Sequence, residues 1–231
     1  MKKFISITAG IASCVLLCNI QAIAQGVVVS SDMQDVRYVG KTYNGIKGSP
    51  YLLPDWANGK VKLTDGTVYE GLKLQYDQLK DELIFSLEDN RPKAFMYPVK
   101  EFTIKDESNK VVLNEKMFRS GFTPIDGSTD KSFYEILQDG NTALVKRTSK
   151  KIVEERAPGD TYKTKQISSS EKYYLASGNN LIKIKKDKKS FLEALPDPKK
   201  ASQVDKFIAD KKLNLKNENA LSQAIAYYNS L

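Results

Sequence analysis

Between Lys60 and Leu113 the sequence repeats one device, a short run of alternating apolar and polar residues closed by a turn. Alternation with a period of two puts one face of an extended segment on a core and the other in water, so such runs fold by pairing with one another. Lys60–Leu63 alternates and Thr64-Asp65-Gly66-Thr67 follows it, where Asp-Gly supplies the positive φ of a tight hairpin. In the next run Val68, Leu72, Leu74 and Tyr76 are expected on the core face and Tyr69, Lys73 and Gln75 on the other, with Glu70 a misfit on the apolar side. Leu83, Phe85 and Leu87 alternate again, and a turn at Glu88–Pro92 leads to expected strands at Phe95–Tyr97, around Phe102 and Ile104, and at Val111–Leu113. Runs this short and this closely spaced predict an antiparallel meander folded as a small barrel or sandwich.

The rest of the chain divides around this region. Val27, Val28 and Val29 could form an edge strand, and Pro50 and Pro54 predict an extended, turn-rich entry that carries the single tryptophan, Trp56. Gly121, Pro124, Asp126-Gly127 and Ser128 mark a long loop. A second β region is expected beyond it, with Phe133–Leu137 and Ala143–Lys146 around the Asp139-Gly140 turn, then Ile152–Glu155, Tyr162–Ile167, Tyr173–Leu175 and Leu181–Ile184. After Lys186 the period lengthens. Ser190–Leu195 reads as a short helix closed by Pro196 and Pro198. Val204, Phe207, Ile208 and Lys211 share one helical face, and Asn217 can cap a last helix with Leu221, Ala224, Ile225 and Tyr228 inward. The expected class is α+β: an antiparallel β-rich body, small barrel or sandwich plus a second hairpin sheet, with two to three helices at the C-terminus. The corresponding division is 25–118, 119–186 and 187–231, the helices packing on the second region.

Residues 1–24 read as a cleavable signal peptide. Lys2 and Lys3 precede an apolar stretch from Phe4 to about Ile20, and Ala22-Ile23-Ala24 offers the small-x-small pattern of signal peptidase, with cleavage after Ala24 leaving Gln25 first. The alternatives are an uncleaved anchor and a lipid anchor at Cys14, which ends the lipobox-like Ile11-Ala12-Ser13-Cys14. The expected location is therefore exported, periplasmic or secreted. No second apolar run approaches the length of a membrane-spanning helix.

Composition narrows the chemistry. The chain has no histidine, and its two cysteines, Cys14 and Cys18, both leave with the signal segment. A mature chain without either residue cannot build a Ser-His-Asp or Cys-His nucleophile, a thiolate zinc site or a histidine metal site. Ser-x-x-Lys occurs at Ser128–Lys131 and Ser169–Lys172, but in a loop and between strands rather than at a helix start, where one turn would bring the lysine alongside. Asp126-Gly127-Ser128-Thr129-Asp130 resembles the opening of a calcium loop and then departs from it, with Lys131 in place of the glycine and Leu137 in place of the bidentate acid. Asp77, Asp81, Glu82, Glu88 and Asp89 are the candidates for a glycosidase-type carboxylate pair. No catalytic residue, metal ligand or cofactor-binding motif is assigned.

Two features suggest contact with other molecules. Trp56 lies in a Pro-flanked loop where its face could stack on a ligand. Lys183, Lys185, Lys186, Lys188 and Lys189 crowd one short stretch of a chain with net charge +8, which would attract an anionic glycan or lipid surface. Solvated lysines kept for solubility are the plainer account. No nucleic-acid partner is expected, because no aromatic-and-glycine stacking motif accompanies the lysines.

Gly48-Ser49-Pro50-Tyr51-Leu52, Leu63-x-Asp65-Gly66, Leu74-x-Tyr76-Asp77, Asp81-Glu82-Leu83-x-Phe85 and the closing Tyr227-Tyr228-Asn229 together resemble a family of uncharacterised exported proteins of Gram-negative bacteria. The resemblance implies an envelope location and no activity. The expected role is a non-enzymatic binding or scaffolding protein with an envelope protein or an anionic glycan or lipid surface as partner. A carboxylate-dependent hydrolase acting on an envelope glycan is the alternative.

Overall fold

The computed structural model describes residues 38, 40, 43–87, 91–108, 111–156 and 162–231. The signal segment with Cys14 and Ala24, the expected strand at Val27–Val29, and the carboxylates Glu88 and Asp89 lie outside these residues. The elements run β1 (Ile46–Lys47), β2 (Ala57–Leu63), β3 (Val68–Asp77), β4 (Glu82–Ser86), β5 (Pro92–Ala94), β6 (Val99–Ser108), β7 (Val111–Arg119), β8 (Tyr134–Gln138), β9 (Thr142–Glu155), β10 (Thr164–Ser177), β11 (Asn180–Ile184), α1 (Lys188–Glu193), α2 (Pro198–Asp210) and α3 (Glu218–Ser230). The class is α+β, as the sequence predicts, with the helices gathered at the C-terminus.

The sheet departs from expectation in one respect. All the strands belong to one mixed sheet in the order β1-β10-β9-β8-β7-β6-β2-β3-β4-β5, with β11 also on β10, and the sheet is not closed into a barrel. The two β regions are joined by Phe118↔Glu135 and Arg119↔Tyr134 between β7 and β8, and by β1 on β10. Among the described residues only β1 runs parallel to its neighbour, at Ile46↔Lys165 and Lys47↔Gln166.

Local chemistry explains the turns. At the β2–β3 hairpin Gly66 has φ 95° and the Thr67 N–H donates to Asp65 Oδ1 at 2.8 Å. These bonds to the ionised form hold the Asp65 carboxyl below its ordinary range. Between β2 and β3 the register shifts, Gly59 facing Leu72 while Lys60 faces Glu70, which leaves Gly71 as an extra residue at φ 70°. The bulge reverses the expected facing at the start of β3. Tyr69 is buried and Val68 is exposed, and Glu70, outward, is no misfit. The run at Phe95–Tyr97 is not a strand. Pro92 opens β5 at the sheet edge, where its missing N–H costs nothing, and residues 95–98 form a strap beyond it.

The core falls into three clusters. Tyr76, Phe102, Phe118 and Phe133 lie at the centre of the first, with Tyr76 edge-on to each phenylalanine at 5.3–5.7 Å between centroids. A second joins Leu144, Tyr173, Leu175 and Ile184 of the sheet to Phe191, Val204, Ile208, Leu221, Ala224 and Ile225 of the helices. The third covers the opposite face of the same strands with Phe122, Tyr134, Val145 and Tyr174. Each helix has a side-chain cap: Asp187 for α1, Asp197 for α2 and Asn217 for α3. Pro198 opens α2 at its first turn rather than only closing α1.

A charged cluster fastens α3 to the sheet. Lys146, with its side chain 8% exposed, meets Glu218 at 3.1 Å and Glu135 at 3.1 Å. The Tyr173 hydroxyl donates its one proton to Glu218 (2.7 Å) or Glu171 (2.9 Å), and Lys186 Nζ donates to the same oxygen at 3.3 Å. Burial alone would raise the Glu218 carboxyl, but the Tyr173 hydroxyl and the Lys146 ammonium outweigh it and hold its pKa below the usual 4.5. A carboxyl whose folded pKa is depressed contributes stability that is complete above its unfolded pKa and lost as pH falls through the folded value. Stability should therefore decline below about pH 4.5. The Glu218→Gln variant should lose part of that decline, measured by urea unfolding at pH 7 and pH 3.5. An unchanged difference between the two pH values would remove Glu218 from the account.

Candidate functional site

β3 and β4 are joined by the turn 78–81, and its two flanking aspartates do different work. Asp77 is fully buried. Its Oδ1 accepts the Leu79 and Lys80 N–H groups at 2.9 and 3.0 Å, and its Oδ2 accepts the Tyr43 hydroxyl at 2.8 Å. Burial, followed by the Asp77 carboxylate, pushes the Tyr43 hydroxyl well above its ordinary pKa. Asp77 is thus the bolt of the turn. Asp81 sits at φ 60° and joins three parts of the fold. Its Oδ1 accepts the Tyr76 hydroxyl at 2.5 Å and the Phe133 N–H at 3.2 Å, and its Oδ2 meets Arg147 Nη2 at 3.1 Å. Burial, then Asp81, raises the Tyr76 hydroxyl far above 10.

Two clefts meet at this turn, sharing Asp81, Glu82 and Lys131 in their walls. The first, of about 480 Å³, is lined by Leu83, Phe95, Met96, Tyr97, Pro98 and Phe133. Met96 and Tyr97 are 54% and 48% exposed, so this wall presents apolar surface that the protein does not cover. Asp130 is the further acid on this side. The second cleft, of about 570 Å³, is walled by Lys80, Thr129, Ser132, Arg147, Ser149 and Lys150.

The charges of the second cleft do not cancel. Lys80 lies 3.8 Å from Glu82, and Arg147 pairs with Asp81. Lys150 Nζ instead donates to the backbone carbonyls of Ser49 and Tyr51, at 3.1 and 2.6 Å. Burial lowers the Lys150 pKa, a loss that the more distant Asp77 only partly offsets. Lys131 is exposed and makes no ion pair among the described residues. Arg147 Nε is buried with no acceptor among them. The loop that forms the opposite wall is held by its own bonds, Gly121 N–H to Asp130 O (2.8 Å), Thr129 N–H to Ser132 Oγ (3.0 Å) and Ile125 N–H to Ser128 Oγ (2.9 Å).

The residues singled out from sequence are scattered by the fold. Trp56 is partly buried just ahead of β2 and lines neither cleft. The lysine run points several ways. Lys183 meets Asp126 at 2.8 Å, Lys186 covers the Tyr173 ring at 4.7 Å, and Lys188 pairs with Asp205. Lys185 and Lys189 are exposed. Of the carboxylates, Asp81 and Glu82 share the walls of both clefts, Asp77 lines neither, and Glu88 and Asp89 lie outside the described residues. The Ser128 hydroxyl is taken by Tyr134 at 2.9 Å rather than by Lys131, and Ser169 and Lys172 stand on opposite faces of β10. Where a calcium ion would sit on Asp126, the cations are Lys183 and Lys172, the latter at 3.6 Å, and with the Tyr174 hydroxyl they hold the carboxyl low. Among the described residues no group of three or more carboxylates is placed to hold a metal ion, and no helix is long and apolar enough to cross a membrane. Sequence reading missed Arg147, Lys150, Met96 and Tyr97. Met96 and Tyr97 fell in an expected strand, and Arg147 and Lys150 fell between two expected strands, in a stretch without apolar residues.

No protein-family model, curated protein or solved structure matches the chain.

Proposed function

We propose that this is an exported, non-enzymatic binding protein of the bacterial envelope, and that the paired clefts beside Asp81 are its ligand site. The export part rests on the signal-like segment 1–24. The observation that carries the binding part is the exposed Met96-Tyr97 strap walling a cleft of about 480 Å³, within the size range of small-molecule sites. Binding suits this site better than hydrolysis, because Asp81 is already engaged by Tyr76, Phe133 and Arg147. The carboxyl groups with displaced pKa values, Asp65, Asp126, Asp139 and Glu218, are all displaced downward, away from a general acid.

The test uses protein recovered from the periplasmic fraction, with Gln25 expected at its N-terminus, and the neutral fluorophore N-phenyl-1-naphthylamine. Saturable binding is expected, weakened about tenfold in the Met96→Ala/Tyr97→Ala variant, since truncating the strap removes on the order of 1–2 kcal/mol of apolar contact. Both side chains are exposed, so the fold should persist by circular dichroism. Non-saturable binding, or equal affinity in the variant, would sink the proposal.

A further inference from the structure

The second cleft says what kind of ligand the first would hold, and this inference rests on the binding reading above. Its wall carries four cations, Lys80, Lys131, Arg147 and Lys150, against two acids, Asp81 and Glu82. Once Lys80 is set against Glu82 and Arg147 against Asp81, Lys131 and Lys150 remain without a carboxylate at ion-pair distance among the described residues. Arg147 uses one nitrogen, Nη2, for both Asp81 and Ser132, and leaves donor capacity unspent at Nε. The hydroxyls of Thr129, Ser132 and Ser149 line the same wall. Unpaired cations beside hydroxyl donors in a partly desolvated cleft are the chemistry of oxyanion binding.

We propose that the second cleft is an oxyanion subsite, held by Lys131, Arg147 and Lys150, and that the ligand is a phosphomonoester whose apolar body lies along the Met96-Tyr97 strap. Two considerations select that class. Two lysines without an ion pair, Lys150 only partly offset by the more distant Asp77, match a phosphomonoester, which carries about −1.5 to −2 at neutral pH, better than a single carboxylate. The two clefts also share Asp81, Glu82 and Lys131, so one molecule can fill both, with Lys131 at the junction. Burial of Lys150 disfavours its charge, and a bound anion would restore what burial removes. Nothing covalent is required of the ligand.

A matched pair of competitors against N-phenyl-1-naphthylamine separates this inference from the binding reading. The pair is 1-naphthyl phosphate and 1-naphthol, which share a ring and differ in the phosphate. Naphthyl phosphate is expected to compete at about tenfold lower concentration than naphthol, the worth of roughly one good charge-assisted contact. The advantage should shrink severalfold at 0.5 M salt, because Lys131 is exposed and screened. In Lys131→Glu the ratio of the competing naphthol to naphthyl phosphate concentrations should fall from about ten to about one, and the ratio is the readout because Lys131 also stands in the wall of the first cleft. Inorganic phosphate should compete poorly. If it matches naphthyl phosphate, the ligand is free phosphate and the amphiphile assignment falls. Equal competition by the two naphthyl compounds, or an advantage untouched by Lys131→Glu, overturns the oxyanion subsite and leaves the apolar cleft standing. Failure of the fluorophore to bind at all overturns the binding reading instead.

Discussion

Replacing Gly59 with alanine is expected to destabilise the fold by about 3 kcal/mol, the upper part of the range for overpacked cores. Gly59 lies in β2 between Ile104 of β6 and Leu72 of β3, opposite the Gly71 bulge. A Cβ there would fall inside contact distance of the Thr103 carbonyl oxygen and of Leu74 Cδ1. A flexible side-chain end could turn away at small cost. The Thr103 carbonyl is fixed by its strand, and Leu74 is fully buried in the aromatic cluster. Relief would have to come from moving β6 away from β2, which would also disturb the β2–β6 ladder. For a chain of this size the loss should lower Tm by about 10 °C. The Gly59→Ala/Leu74→Ala double variant should lose less than the two single losses added, because the second change removes one of the clashing groups. A Tm within about 2 °C of the parent would mean that β2 and β6 do not approach as described.

That glycine also shows where sequence reading works and where it stops. Asp65-Gly66 and Asp139-Gly140 announce hairpins because the turn chemistry is local, and the cap Asn217 announces a helix for the same reason, whereas the Asp187 cap of α1 is seen only in the structure. The bulge at Gly71 is local too, yet it can be recognised only once the partner strand is known. Without it, a strict period of two assigns Val68 to the core and Tyr69 to water, the reverse of what is found. The long strands β9 and β10 read as two short ones each, since Arg147–Lys151 and Ser168–Lys172 lack the apolar residues that mark a strand over a core. They pair without interruption over fourteen positions because the ladder needs backbone groups, not apolar side chains.

The cleft was illegible for a different reason. Its walls come from the β3–β4 turn, the strap at 95–98, the loop at 120–133 and the middle of β9, segments far apart in the chain. The lysine run at 183–189 stands out in the sequence because it is contiguous, but folding turns Lys183, Lys186 and Lys188 toward separate partners. The cations that do converge come from three separate segments, Lys80, Lys131 and the pair Arg147 and Lys150, and the short basic run Lys146–Lys151 that holds the last two is the one local signal of the cleft's charge in the sequence. What was legible is the Tyr76-Asp77 and Asp81-Glu82 pairing of motifs around one turn, and those residues mark the place where the walls meet.

The Asp81→Ala variant should lose about 3 kcal/mol of stability and the binding of N-phenyl-1-naphthylamine together. Removing the carboxylate leaves the buried Tyr76 hydroxyl without its acceptor, takes a partner from the Phe133 N–H, and strips Arg147 of its counter-charge. Each group is buried or half-buried, so water replaces the lost partner poorly and the desolvation cost stands. The backbone adds a smaller penalty, because φ 60° suits aspartate or asparagine better than alanine. Asp81→Asn separates these causes. Asparagine keeps an acceptor for Tyr76 and Phe133 and tolerates the left-handed backbone, so only the ion pair with Arg147 should be lost, at about half the cost of the alanine variant. Tyr76→Phe in the Asp81→Ala background should then cost almost nothing further, since the hydroxyl it removes has already lost its acceptor. Urea unfolding of the four proteins measures all of these differences. Equal losses for Asn and Ala would assign the whole effect to Arg147, and a loss below about 1 kcal/mol for Ala would show that Asp81 does not tie the turn to β9. Because Asp81 stands in the walls of both clefts, the same substitution should loosen the loop at 120–133 against β4 and open the junction that Lys131 shares with it.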